Sequence, residues 1–434
     1  QMKCYSFIFV LIGLGNFATY YAVLAQTNYW RFFYTKYDAT TINSMCYCIG
    51  ELFGSLSAIF LAKKLKQQTI AIIWIILASL MLIVIIPLKF IPSPEAAFYS
   101  LIPVFIVLGT VDSIYFDTTL SLSAQFQVGM SGWCQLGTTT SSILITVIQD
   151  IITAAFQTNA QNLAINLTYN AIVYYSITVC LLLTSFVSFL GMRRLLDKQQ
   201  LLEVPTQITE AATPLERENE KSETANFPDK LILSDRNEKI LEPAQVQKSD
   251  EPQKLFIDKN RKKWVHLCGL ALTVNSLVTF INFPLFLLKV QSQSQQSWLG
   301  TWWCLIILTV QNGVDFLFRM LIRTKWMQRI FSAKVTIITA FCRLIFFLLF
   351  SLLVVKGGNG YPIIFNDAAF FVIVFLFAAS WAVVQTQGFL RFQDFCVNDA
   401  EKGKAAYIVN LYSTIGVAGS GFISIGLSQL SIFK

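Results

Sequence analysis

Gln311-Asn312-Gly313-Val314-Asp315-Phe316-Leu317-Phe318-Arg319 lies inside an apolar run that starts near Trp298 and ends near Ile322. A run of that length with few charges reads as a membrane-spanning helix. Yet this one carries a carboxylate and a guanidinium well inside its boundaries. Either charge alone at the bilayer centre costs a few kcal/mol, so the two are not there by accident. Asp315 and Arg319 are four residues apart and share one helical face. Asn312, three residues earlier, extends that face. A polar stripe on a membrane helix points at the protein interior or at a water-filled cavity. Two readings remain open: an ion pair that holds two spans together, or a pair that lines a permeation path.

Composition widens the inference from one span to many. The chain has 434 residues, 55% of them hydrophobic and only 13% charged, with a mean hydropathy of +0.57. That excludes an ordinary water-soluble globule. The formal charge is +8. The segment 193–263 is neutral, with 14 Lys/Arg against 14 Asp/Glu, so the excess belongs to the rest of the chain. A basic excess at helix ends is an orientation signal and does not point to nucleic acid. Nine cysteines lie mostly in apolar runs and read as small hydrophobes. Neither a disulfide framework nor a metal-binding spacing is visible.

Span 1 covers about Tyr5 to Gln26 and holds Gly13, Gly15, Asn16 and the cluster Thr19-Tyr20-Tyr21. Packing and pocket-lining weigh equally there. Span 2, about Thr41 to Ala62, carries Glu51 between Gly50 and Gly54. Span 3, about Thr69 to Phe90, reads as plain apolar filler around Trp74. Span 4 begins near Ala97 and contains Asp112, at depth, and Asp117, expected to reach the interface. A polar link from Gln125 to Trp133 enters span 5, which carries hydroxyls from Thr138 to Ser142 and Asp150 towards its far end. Those hydroxyls can bond to their own helix. Asn166-Leu167-Thr168 is a glycosylation sequon in the loop before span 6, itself about Thr168 to Met192.

From Arg193 to Lys263 prolines, Glu, Gln, Lys and Ser replace the apolar periodicity, which reads as a disordered linker. Span 7, about Trp264 to Val290, contains Asn275, Asn282 and Phe283-Pro284, where a proline kinks the helix. His266, the only histidine, sits at its start and reads as interfacial. Span 8 is the opening stretch. Span 9, about Val335 to Val355, carries Arg343, expected to snorkel to the interface. Gly357, Gly358, Gly360 and Pro362 then break the chain. Span 10 runs from about Ala368 to Leu390, and span 11 from about Ala405 to Ile432 with a glycine stripe for close packing.

The expectation is an all-α polytopic protein of eleven spans: a six-helix bundle (1–192), a cytosolic linker (193–263) and a five-helix bundle (264–434). With the amino terminus inside, internal ends and short loops hold 18 basic residues and external ones six. That is a strong positive-inside bias. It puts the linker in the cytosol and the sequon outside.

Six spans, a large cytosolic loop and five spans are the layout that the equilibrative nucleoside transporters show. Local motifs resemble theirs: Asn312-x-x-Asp315-x-x-x-Arg319 in span 8, Met130-Ser131-Gly132 entering span 5, Phe283-Pro284 in span 7, Arg343-Leu344-Ile345-Phe346 in span 9, and the last span from Ala405 to Gly421. The family's Pro-Trp-Asn in span 1 stands here as Thr19-Tyr20-Tyr21. Its span-4 glutamine is replaced in the neighbourhood of Asp112, and span 3 holds no basic residue. These departures imply a divergent member, as from a protist.

The resemblance implies a major-facilitator-like fold of two helical bundles with substrate bound between them at mid-membrane. Such a carrier needs a central polar site and an unconstrained linker. The implied site is Asp315 and Arg319, with Asn312, for ribose hydroxyls and a base edge. Tyr20 supplies an aromatic face and Asp112 a further acceptor. Glu51 or Asp112, carboxylates without a cationic neighbour in sequence, are the proton-coupling candidates. The implied function is carriage of nucleosides or nucleobases, by facilitated diffusion or proton symport, most simply in the plasma membrane. Other readings are a carrier of another polar or cationic solute on the same scaffold, and a non-transporting membrane scaffold. An enzyme is not expected: there is no nucleophile–base constellation, phosphate loop or metal spacing, hence no cofactor and no nucleic-acid partner.

Overall fold

The computed structural model describes residues 2–37, 39–126, 129–156, 162–211, 259–287, 290, 292, 297–355, 362–364 and 366–428. Gln127, Val128, Lys289, Lys356, Gly357, Gly358, Gly360, Lys434 and most of the expected linker lie outside the described residues. So does the side chain of Pro284.

Fifteen α-helices follow one another among the described residues. Those at the amino-terminal end are α1 (Met2–Gly13), α2 (Ala18–Ala25), α3 (Thr27–Phe33), α4 (Ala39–Lys64), α5 (Gln67–Leu88), α6 (Pro94–Phe126), α7 (Met130–Phe156) and α8 (Leu163–Ala211). After the linker come α9 (Lys259–Ile281), α10 (Ser297–Leu321), α11 (Lys325–Ile330), α12 (Ala333–Cys342), α13 (Ile345–Val354), α14 (Asp367–Arg391) and α15 (Asp399–Ser428). Ten stretches are long and apolar enough to cross a bilayer, α12 and α13 together making one of them. The pair α1 and α2, bent by 44°, makes an eleventh if counted as one span.

Burial is arranged as lipid demands. Phe53, Phe60, Ile83, Val187, Ile338, Leu348 and Phe422 all stand exposed, whereas Asn43, Ser55, Thr119, Ser142, Asn275 and Gln387 are fully buried. In water that would be a sticky surface over a polar core. In a bilayer it is stable, because hydrocarbon solvates the outer face and inner groups such as Ser55, Thr119 and Asn275 find polar partners within the protein. The protein is an integral, multi-pass membrane protein.

Helix contacts depend on missing side chains at several crossings. A Cβ on Gly50 would run into the Ile106 carbonyl, and one on Gly109 into the Tyr47 carbonyl, so α4 and α6 touch backbone to backbone. Gly13 and Gly137 do the same for α1 and α7. Beyond Gly13 the first span breaks, which its reading as one helix did not anticipate. Phe17 takes a left-handed conformation (φ 58°) before α2 resumes in a new direction. A bulky residue there is strained, by about 1 kcal/mol or more.

Residues 1–193 and 257–434 form one compact unit. Within it α10 lies along α7, and α15 packs against α4, α6 and α9. Residues 194–256 form a second unit. The backbone of α8 continues to Ala211, past the expected linker boundary at Arg193. Asn166 sits inside the first turns of α8 rather than in a loop. The hydroxyl of Thr168, in the same sequon, donates to the Ala164 carbonyl and accepts from the Lys89 ammonium.

Three expectations need correction. Asp117 does not reach the interface: it is 1% exposed and bonded to Ser55 and Asn410. Arg343 does not snorkel: it is equally buried, at the junction of α12 and α13. Nor is α5 plain filler, since the Trp74 indole donates to Asp112 (2.7 Å) and stacks on Tyr115 at 3.6 Å.

Candidate functional site

A cleft opens between the two halves of the chain, walled by α2, α7, α9, α10 and α14. The new direction of α2 brings Tyr20 and Tyr21 to one wall. The Tyr20 hydroxyl is within 3.2 Å of Ser44 on α4, and its ring lies 5.0 Å from Tyr47 and 5.8 Å from Phe280. Opposite, α9 ends in a π-turn over Asn282–Phe286, in which Phe283 leaves helical geometry (φ −122°, ψ 119°). This is where Phe-Pro predicted a kink. It leaves Thr279, Phe280 and Phe283 facing the cleft, with Trp381 from α14 beside them, 6.0 Å from Phe280.

The polar side comes from the opening stretch. Gln311, Asn312 and Asp315 all line the cleft. Asp315 and Arg319 are each 3% exposed and pair through Oδ1 and Nε at 3.0 Å. Arg319 does not line the cleft. Its Nη1 donates instead to Gln135 of α7, at 2.9 Å. One helical turn back, Asn312 donates to Thr146 of α7 at 2.8 Å, and Thr309 donates to Asp150 at 2.7 Å. The α7–α10 seam is therefore held by three polar ties, and the cleft lies beside the middle one. Asp315 lines the cleft while Arg319 ties α10 to α7, so the pair belongs both to a cavity wall and to a helix contact.

Behind Thr279 and Trp381 stands Arg343. Its guanidinium donates to Thr279 (3.0 Å), Ser380 (3.0 Å), the Phe377 carbonyl and both oxygens of Asn275, which in turn donates to Gln385 at 3.0 Å. Its carbon lies 5.7 Å from the Trp381 ring and 5.1 Å from Phe377, so the charge also rests on aromatic faces. No carboxylate pairs with Arg343 among the described residues. The positive charge beside the cleft fixes the walls without entering it.

The expected site residues separate into two groups. Tyr20, Asn312 and Asp315 meet at the cleft, and Arg319 supports them from behind. Asp112 and Glu51 are buried and do not line it. Asp112 Oδ1 accepts from Trp74, while Oδ2 accepts from Tyr47 (2.7 Å) and Thr19. That is a satisfied structural carboxylate tying α2, α4 and α5 to α6. Sequence reasoning passed over Gln311, whose buried Oε1 has no partner among the described residues, although it stands within the stretch that opened the reading. It also missed Phe280, and read Trp381 only as part of its span.

In this conformation the cleft holds a cavity of about 40 Å³. That suits a few water molecules, since one needs roughly 10–15 Å³. A solute of a sugar ring and a base fits only when the walls part.

A sequence model of nucleoside transporters matches residues 101–427, well over half of the chain. The chain belongs to the nucleoside transporter family. Its fold is that of the major facilitators. The D-xylose-proton symporter superposes with a TM-score of 0.60 over 96% of this chain and 88% of that one, at 12% identity. The symporter XylE bound to a bromodeoxyglucose gives 0.55 over 99% and 90%, at 11% identity. A mutant of the nucleoside transporter NupG gives 0.51 over 98% and 92%, at 12% identity. No match was found among curated proteins. The cleft presents aromatic faces together with a carboxylate, amides and hydroxyls.

Proposed function

We propose that this protein carries nucleosides across a membrane by alternating access, with the central cleft as the binding site. The observation that carries the reading is the position of Asp315. It lies on the cleft wall, is held by Arg319, and faces a cage of Tyr20, Phe280, Phe283 and Trp381. A carboxylate accepts two hydroxyl protons well, and ribose presents two adjacent hydroxyls. The aromatic residues give the base a face to stack on, which is sequence-tolerant and contributes roughly 1–3 kcal/mol per base in other proteins. Gln311 and Asn312 offer both donors and acceptors to a base edge. Arg319 neutralises Asp315, which disfavours a cationic solute and argues against the runner-up reading.

Glu51 is the remaining candidate for proton coupling, since Asp112 is engaged on both oxygens. The two sequence halves act as the two rocking bodies, 1–192 and 264–434, joined by a cytosolic linker, with the amino terminus inside. The plasma membrane is the expected site. Asn166 is the proposed glycosylation position on the outer side.

The test is uptake of radiolabelled adenosine and uridine in transport-deficient cells, at pH 6 and pH 7.5. Wild type should show saturable uptake, and Asp315→Asn and Arg319→Ala should lose it at matched surface expression. Acid stimulation that disappears in Glu51→Gln would add the proton. If well-expressed wild type takes up neither nucleoside, the substrate assignment fails. If both variants transport normally, the pair is structural.

A further inference from the structure

A second cavity, of about 390 Å³, lies at the end of the α7–α10 seam away from the cleft. Its walls include Trp133 and Leu136 of α7, Met320 of α10, Leu390 of α14, and Arg323 and Thr324 where α10 ends. Arg323 lies over Trp133, its guanidinium carbon 3.1 Å from the ring centroid. Stacking of this kind holds the plane of the guanidinium while leaving its edge free to donate. Its Nη1 is buried and has no hydrogen-bond partner among the described residues. A buried guanidinium nitrogen without an acceptor is costly, so the site is shaped for an acceptor from outside the chain. Asp394, four residues past the cavity residue Leu390, is held by Arg391 at 3.3 Å.

The surroundings say where that acceptor comes from. Immediately after the cavity, α11 carries Lys325 and Arg329 together with Trp326 (68% exposed) and Ile330 (43% exposed). A short basic helix that also exposes a tryptophan belongs at the membrane–water boundary. Along α10, leading away from Arg323 into the membrane, Leu317, Met320 and Leu321 stand about half exposed. Cationic groups at the headgroup level with an apolar track beneath them match an amphiphile with a phosphate head. A free phosphate would match Arg323 but would have no use for the track.

We propose that this cavity binds the headgroup of an anionic phospholipid. Arg323 donates to the phosphate from its place on Trp133, Lys325 and Arg329 add charge, and an acyl chain runs along Met320 and Leu317. The site does not depend on which solute the central cleft carries. It joins the start of α7 to the end of α10, and so sits on the seam that must flex during transport.

Native mass spectrometry of the full-length protein tests this, in micelles doped with equimolar phosphatidylglycerol and phosphatidylcholine. Wild type should retain phosphatidylglycerol in preference. Arg323→Gln should cut that retention at least fivefold. So should Met320→Trp, which fills the cavity and keeps the charge, and which serves if Arg323→Gln does not fold. Lys334→Gln, elsewhere on the basic end, should leave it unchanged. Retention that is equal in wild type and both cavity variants would overturn the site. Displacement of the lipid by millimolar inorganic phosphate would overturn the lipid assignment and make this a small-anion site.

Discussion

Two seams join the halves of this transporter, and each buries a carboxylate in a different way. On the α7–α10 seam Asp315 is neutralised by Arg319, which also reaches across to Gln135. On the α4–α6–α15 seam Asp117 has no cation among the described residues. Its Oδ1 accepts from Asn410 and its Oδ2 from Ser55, both at 2.9 Å, and Asn410 also reaches Ser55 at 3.2 Å. The first arrangement stores opposite charges beside the cleft, where a solute can exploit them. The second uses neutral donors from two helices, α4 and α15, on a carboxylate of α6, and lies away from the cleft. On the proposal above, the first seam serves recognition, and the second holds helices together.

The comparison breaks or holds on removal of Arg319. Arg319→Ala leaves Asp315 buried without its counter-charge, which costs about 3–5 kcal/mol when a buried pair loses one partner. The expected outcome is a strongly lowered thermal midpoint of the purified protein, with uptake gone. Asp315→Asn combined with Arg319→Gln removes both charges and should recover the midpoint but not the uptake. If the double variant is as unstable as the single, charge burial is not what the pair settles.

The second prediction sets the two carboxylates side by side. Asp315→Asn strands a guanidinium, whereas Asp117→Asn strands nothing charged and keeps a carbonyl for Ser55 or Asn410. Loss of one neutral hydrogen bond costs about 1 kcal/mol. Asp117→Asn should therefore lower the midpoint by clearly less than Asp315→Asn does. Equal losses would mean that the Asp117 charge itself is used, and the contrast between the seams would fall.

The same contrast explains what could be seen in the sequence. Asp315 and Arg319 are one helical turn apart, so their pairing is local and follows from helix geometry alone. The spans were legible because twenty apolar residues leave few alternatives. Asp117 and Asn410 are partners across 293 positions, and no local rule joins them. Asp117 was therefore assigned to the interface. Arg343 was misread for the same reason: its acceptors come from α9 and α14, invisible from its own helix. The break after Gly13 did have signals, in Gly13, Gly15 and Asn16. The sequence weighs packing and pocket-lining equally there; Gly13 does pack against Gly137, and the stretch also makes the turn that delivers Tyr20. Glu51 and Asp112 stood out as charges in apolar spans. Only the fold shows that Asp112 is spent on Thr19, Tyr47 and Trp74 rather than facing the cleft.

Within the recognition seam, the ties should differ in strength of effect. Thr146→Val removes the acceptor of Asn312 at the cleft wall. The freed amide faces water or solute, so the fold loses about 1 kcal/mol or less. Its misplacement should show in recognition instead, as a rise in KM of about fivefold, equivalent to roughly 1 kcal/mol. A change in maximal rate with KM unmoved would show that this tie governs the opening of the seam rather than the pocket.

Asp150 should give the smallest effect, and it is the sharpest check on the idea that position decides role. It is a half-buried carboxylate at the far end of α7, and its Oδ2 accepts from Thr309. Its Oδ1 is buried with no partner among the described residues. Asp150→Asn keeps an acceptor for Thr309 and removes only the charge. If the seam needs a hydrogen bond there and nothing more, uptake should stay within about twofold of wild type and stability within about 1 kcal/mol. Thr309→Val, which removes the donor, should then be the more damaging of the two. The reverse order, with Asp150→Asn losing transport and Thr309→Val normal, would assign the charge of Asp150 a function of its own. A carboxylate outside the cleft would then share in moving the solute, and the recognition seam would extend along α7 beyond the pocket.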